Sequence, residues 1–144
     1  RKRFKLKKII WAITKKNPLK AVSKTPVSKR IKDCKKLIGS NTFIKVKFYE
    51  DTINSNKTID LINYLKKNKK LEIFFLMGAD NLISFHKWHK SKLITEKCNI
   101  IVFDRHGYKK NSLKSKTFKK LNNKTLTFVK FKKVNISSSQ LRKI

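Results

Sequence analysis

Five short apolar runs, each followed by a stretch with helical spacing or a cluster of helix-cap residues, limit this chain's possible folds more than any other feature. The strongest run, residues 71–77, reads Leu-Glu-Ile-Phe-Phe-Leu-Met and is closed by Gly78. Residues 8–14 are nearly continuous in apolar and β-branched side chains, which suits a strand buried on both faces. Residues 41–49 alternate instead, with Ile44, Val46 and Phe48 on one face and Lys45 and Lys47 on the other. Further strands are expected at 99–103 and 126–131. Helices are expected between them. Thr25-Pro26 opens one in which Val27, Ile31, Cys34, Leu37 and Ile38 recur, stopped by Gly39. Residues 58–65 form another, with Ile59 and Ile62 on its apolar face. A third, 81–94, carries Phe85, His86, Trp88 and His89, and a weaker one spans 112–121. Alternation of this kind predicts an α/β fold, a mostly parallel sheet with helices on both faces. No internal repeat or second domain is evident, so residues 1–144 are expected to form a single domain.

Ligands of such sheets bind beyond the carboxyl ends of the strands. That directs attention to residues 14–20, 78–80, 104–108 and 136–142, where unusual residues gather. At Gly78-Ala79-Asp80, glycine lets a ligand approach the backbone and the carboxylate can accept from ribose hydroxyls. The plain alternative is a strand-ending turn with Asp80 as the cap of the next helix. Trp88 offers a flat face for a heteroaromatic ring, although a tryptophan so placed is more often core. Ser137, Ser138 and Ser139 are helix-cap residues ahead of Leu141 and Arg142. Hydroxyls and free N–H groups at a helix start, with an arginine one turn inside, suit a phosphate; an ordinary capped helix is the alternative. His86 and His89 lie three apart with no Cys, Asp or Glu at ligand spacing, so no metal site is expected.

The formal charge of +31 comes from 39 basic against 8 acidic residues. Such a surface attracts polyanions. Only Arg1, Arg3, Arg30, Arg105 and Arg142 are arginine, whereas phosphate and base readers favour its bidentate fork. Lysine spread through every segment fits a compositional bias better than a specific nucleic-acid site. Cys34 and Cys98 are far apart in sequence, which points to a reducing compartment. No apolar run approaches the ~20 residues of a membrane span, and the apolar stretch 9–13 behind the basic start is too short for a signal peptide. A cytoplasmic protein with no membrane contact is expected.

Taken in order, several segments resemble one family, nicotinate-nucleotide adenylyltransferase of the nucleotidyltransferase α/β superfamily, whose fold is Rossmann-like. They are Trp11 with Asn17-Pro18-Leu19-Lys20, then Thr58-Ile59-Asp60, residues 74–82 with Phe85-His86-Lys87-Trp88, residues 102–108, and residues 136–142. The resemblance implies transfer of AMP from ATP, with Mg2+, to nicotinate mononucleotide, giving the dinucleotide precursor of NAD and pyrophosphate. It gives Gly78 and Asp80 to the mononucleotide ribose, Trp88 to the nicotinate ring, and the backbone around His89 together with Thr58 to the nicotinate carboxylate. Arg105 falls to the mononucleotide phosphate, and Ser137, Ser138 and Arg142 to the phosphates of ATP. The family's first strand, glycine-rich loop and his-x-gly-his motif have no counterpart in the 144 residues, and His106 stands where the family usually has proline. The catalytic group is therefore unassigned, and little or no adenylyl transfer is expected of the polypeptide as written. Two rivals are an adenylyltransferase for another acceptor (a pantetheine phosphate or the amide mononucleotide) and a lysine-rich RNA-binding protein.

Overall fold

The computed structural model describes residues 2–15, 25–67, 70–121 and 124–130. The chain divides by its internal contacts into two compact units, Arg1–Tyr64 and Leu65–Ile144.

In the first unit, strand β1 (Ile9–Ile13) pairs in parallel with β2 (Ile44–Phe48), in register from Ile9 opposite Ile44 to Ile13 opposite Phe48. A parallel pair needs a crossover, and helix α1 (Val27–Ile38) lies within it. Pro26 precedes its first turn, where a missing N–H costs nothing. At its end Gly39 takes φ +52 and donates its N–H to the carbonyls of Lys35 and Lys36, a conformation that favours glycine. The half-buried stripe of α1 is Val27, Ile31, Cys34 and Ile38; Leu37, expected on that face, lies beside it and is 77% exposed. After β2 come the single turn α2 (Glu50–Ile53) and α3 (Thr58–Leu65), whose Ile59 and Ile62 are buried, as are Ile13 of β1 and Val46 of β2. β1 is less covered than its composition predicts: Ile13 is buried, while Trp11 is 38% exposed. Among the described residues its sheet has two strands, so β1 has a paired neighbour, β2, on one side.

The second unit holds β3 (Phe74–Gly78), β4 (Asn99–Phe103) and β5 (Leu126–Val129), in that spatial order and all parallel. In the central strand Ile100, Ile101 and Val102 are each 1% exposed or less. Successive strand residues point to opposite faces, so both faces of the sheet are covered there. Around it stand α4 (Ala79–Ser84), which packs on β3 and β4, α5 (Ser91–Lys97), α6 (Lys109–Leu113), which packs on α4, and α7 (Lys116–Leu121), whose Phe118 meets Phe128 of β5. The expected helix 112–121 is two short helices. Ser115 separates them, its hydroxyl accepting the Phe118 N–H at 3.2 Å as a cap for α7. The expected helix 81–94 is also broken. α4 gives way to a tighter turn over Phe85–Lys87, Trp88 turns extended at φ −72 and ψ 145, and Lys90 takes the left-handed φ of +51 before α5 begins. Phe85 is anchored at 1% exposure, and the chain cannot keep a helical path while also leaving Lys87 and His89 in water.

Candidate functional site

At the carboxyl end of β3, Gly78 is both the last strand residue and the N-cap of α4, with an ordinary extended backbone of φ −80 and ψ 158. Its need for glycine comes from within the chain. A Cβ at position 78 would lie 2.5 Å from Asp80 Oδ1, so the carboxylate occupies the space a side chain would claim. Asp80 sits in the first turn of α4, where the helix dipole favours a negative charge; the capping position itself belongs to Gly78.

The register of β3 and β4 sets Gly78 opposite Phe103, two residues before Arg105. Arg105 Nη1 thus reaches Asp80 and donates to Oδ2 at 2.7 Å. The Asp80 side chain is 14% exposed and that of Arg105 43%. The other carboxylate oxygen, Oδ1, is buried with no hydrogen-bond partner. The guanidinium also lies 5.8 Å from the ring centroid of Tyr108, within cation–π range. Asp104, the preceding residue, is 5% exposed. Two residues that sequence reasoning treated as separate ligand contacts are therefore partners of each other.

Trp88 owes its position to the break after α4. Its ring meets Phe75 edge-on at 5.9 Å and Phe85 at 5.3 Å, tilted by 51°. The indole is thus wedged between phenylalanines yet remains only half-buried. Its Nε1 is buried without a partner. His86 and His89 are both exposed. Among the described residues no three His, Cys, Asp or Glu side chains gather as a metal site would require.

In the first unit, Thr58 opens α3 and lines a shallow concavity of about 320 Å3, open solvent included, with Ala12, Thr14, Tyr49, Glu50 and Lys57. Nothing in the sequence marked Glu50, yet it holds the loop after β1: its Oε2 accepts the Lys15 N–H at 3.0 Å, and its Oε1 is buried without a partner. The Lys15 ammonium meets Asp51, and that hydrogen bond raises the lysine above its ordinary value. Arg30 Nη2 donates to the Lys15 carbonyl at 3.3 Å. These contacts depend on which strand lies next to which, and a linear sequence does not show that. Cys98 is buried, and burial pushes its thiol up to about 11. The predicted ATP-phosphate residues Ser137, Ser138 and Arg142 lie outside the described residues, as do Asn17, Pro18, Leu19 and Lys20.

Comparison with known proteins covers the whole chain. The cytidylyltransferase-like family model matches residues 1–144. The chain is 66% identical to a probable nicotinate-nucleotide adenylyltransferase of Pelagibacter ubique over 144 residues, all of this chain and 80% of that protein. It is 37% identical over 108 residues to a protein of the same name from Agrobacterium fabrum, covering 74% of this chain and 57% of the relative. In fold it is similar to the Plasmodium falciparum nicotinic acid mononucleotide adenylyltransferase complexed with NaAD, with a TM-score of 0.68 at 19% identity over 96% of this chain and 69% of the other. With a parallel α/β architecture, a glycine–aspartate turn after β3 and a relative this similar along its entire length, the chain belongs to the cytidylyltransferase-like family, among the nicotinate-nucleotide adenylyltransferases.

Proposed function

We propose that this chain, read as a single nucleotidyltransferase domain over residues 1–144 in the cytoplasm, is built for the transfer of AMP from ATP to nicotinate mononucleotide, with little or none of that activity expected of these 144 residues alone, which hold no his-x-gly-his motif. A phosphate oxygen of the mononucleotide attacks the α-phosphorus of ATP. The bond from that phosphorus to the bridging oxygen breaks, and pyrophosphate leaves with the electron pair. No covalent enzyme intermediate is required, so rate comes from aligning two anionic substrates and offsetting their charge. The observation that carries this reading is the whole-length 66% identity to a protein of that name, and the cluster of Gly78, Asp80 and Arg105 beyond β3 and β4 supports it.

In this reading Gly78 and Asp80 hold the mononucleotide ribose and Arg105 meets the mononucleotide phosphate. Trp88 stacks on the nicotinate ring, and the backbone at His89 receives its carboxylate. Thr58 is assigned to that carboxylate through the family resemblance alone. Ser137, Ser138 and Arg142 are assigned to the phosphates of ATP on the same basis. Mg2+ enters with the triphosphate, since this ion is usually held through phosphates and water and not by a protein cage.

Calorimetric titration with nicotinate mononucleotide and nicotinamide mononucleotide tests the assignment. The acid is expected to bind at least tenfold tighter than the amide, and Trp88→Ala is expected to weaken it by about tenfold, near 1.4 kcal/mol. Equal indifference to both nucleotides, together with salt-steep binding to RNA, would favour the lysine-rich RNA-binding alternative.

A further inference from the structure

The contact between Asp80 and Arg105 has a consequence for the order of the site. We infer that Asp80 is the positioning residue for Arg105, fixing the guanidinium so that its remaining donors face an incoming phosphate; the inference rests on the reading that Arg105 meets the mononucleotide phosphate. Three features carry it. The carboxylate is the more buried partner, at 14% against 43% exposure, so it is the fixed member and the arginine the adjustable one. Gly78 leaves the space in which the carboxylate stands, because a Cβ there would lie 2.5 Å from Oδ1. The contact engages a single nitrogen, Nη1 on Oδ2, at 2.7 Å. A guanidinium has five N–H donors in a planar fork, so one edge can stay on Asp80 while the other takes a phosphate.

Tyr108 supports the same arrangement, its ring centroid 5.8 Å from the guanidinium carbon. An unheld arginine loses side-chain entropy on binding an anion. A held one has already lost most of it. The carboxylate also prevents the arginine from turning to bulk water, at the cost of partly neutralising its charge. On this account Asp80 acts on the phosphate through Oδ2 and Arg105, beside the ribose contact assigned to it above.

The test compares binding of nicotinate mononucleotide with binding of its dephosphorylated riboside, by calorimetry on the full chain. The ratio of the two affinities isolates the phosphate's share and is insensitive to any contact with ribose or ring. Arg105→Ala is expected to lower that ratio by about tenfold. Asp80→Asn is expected to lower it by at least threefold, and to change it no further in the Arg105→Ala background. Gly78→Ala, which displaces the carboxylate while retaining it, is expected to follow Asp80→Asn. A ratio unmoved by Asp80→Asn and by Gly78→Ala, with Arg105→Ala still lowering it, would overturn the positioning role and leave Asp80 a ribose ligand. A ratio unmoved by Arg105→Ala would overturn the underlying assignment of Arg105 to phosphate, and the positioning inference with it.

Discussion

The two units place a cation–carboxylate contact at the same point of their architecture, and the two contacts differ in what they can do. In the first unit Lys15, just past β1, meets Asp51, just past β2. In the second, Asp80 just past β3 meets Arg105 just past β4. Each contact ties the carboxyl ends of adjacent parallel strands. Lys15 and Asp51 are 57% and 69% exposed, so water screens both charges and the lysine keeps its freedom. Asp80 is 14% exposed, sits at a helix N-terminus and has space reserved for it by glycine. The same topology thus yields a loose surface contact in one place and a fixed, directional one in the other. Burial of one partner separates them, more than the distance between charges.

Breaking each contact in turn should expose that difference. Arg105→Ala is expected to cost most, about 2–3 kcal/mol, because it leaves a mostly buried carboxylate without its cation. Urea unfolding checks the value. Asp80→Ala should cost less, about 1 kcal/mol, since the guanidinium it strands can turn to solvent. If the two losses came out equal, the claim that Asp80 is the fixed member would fail. The thiols provide the next comparison. Burial raises Cys98 to about 11 and raises Cys34 less, so Cys98 should be the slower to alkylate at pH 8. Because the folded chain holds that thiol neutral above its ordinary 9.0, its contribution is complete below pH 9 and is lost as pH rises through about 11. Cys98→Ala should therefore flatten the fall in melting temperature between pH 9 and 11. The smallest effect belongs to Lys15→Ala, which should leave the melting temperature within error at neutral pH and at any salt concentration.

How much of this was legible beforehand depended on the range of the interactions. β2, α3 and the centres of β3 and β4 follow from side-chain periodicity, a local property, and they stand where the pattern put them. The turn at Gly78-Ala79-Asp80 was also visible, but not that its glycine leaves room for the Asp80 carboxylate. The partnership of Asp80 and Arg105 was not visible, because it depends on β3 and β4 being neighbours in a particular register. Glu50 was missed for the same reason: its partner, the Lys15 N–H, is 35 positions away. The break that presents Trp88 was missed because 81–94 satisfies helical spacing, while burial of Phe85 and the left-handed Lys90 redirect the chain.

The different settings of the two indoles give the molecule two distinct optical reporters. Trp11 is 38% exposed on β1, whereas Trp88 is flanked by Phe75 and Phe85 with its Nε1 out of solvent. Trp88 should emit at the shorter wavelength, and a pyridine laid on its open face should quench it while leaving Trp11 bright. Under the proposed function, binding of the mononucleotide would then be readable from native fluorescence, with no label attached.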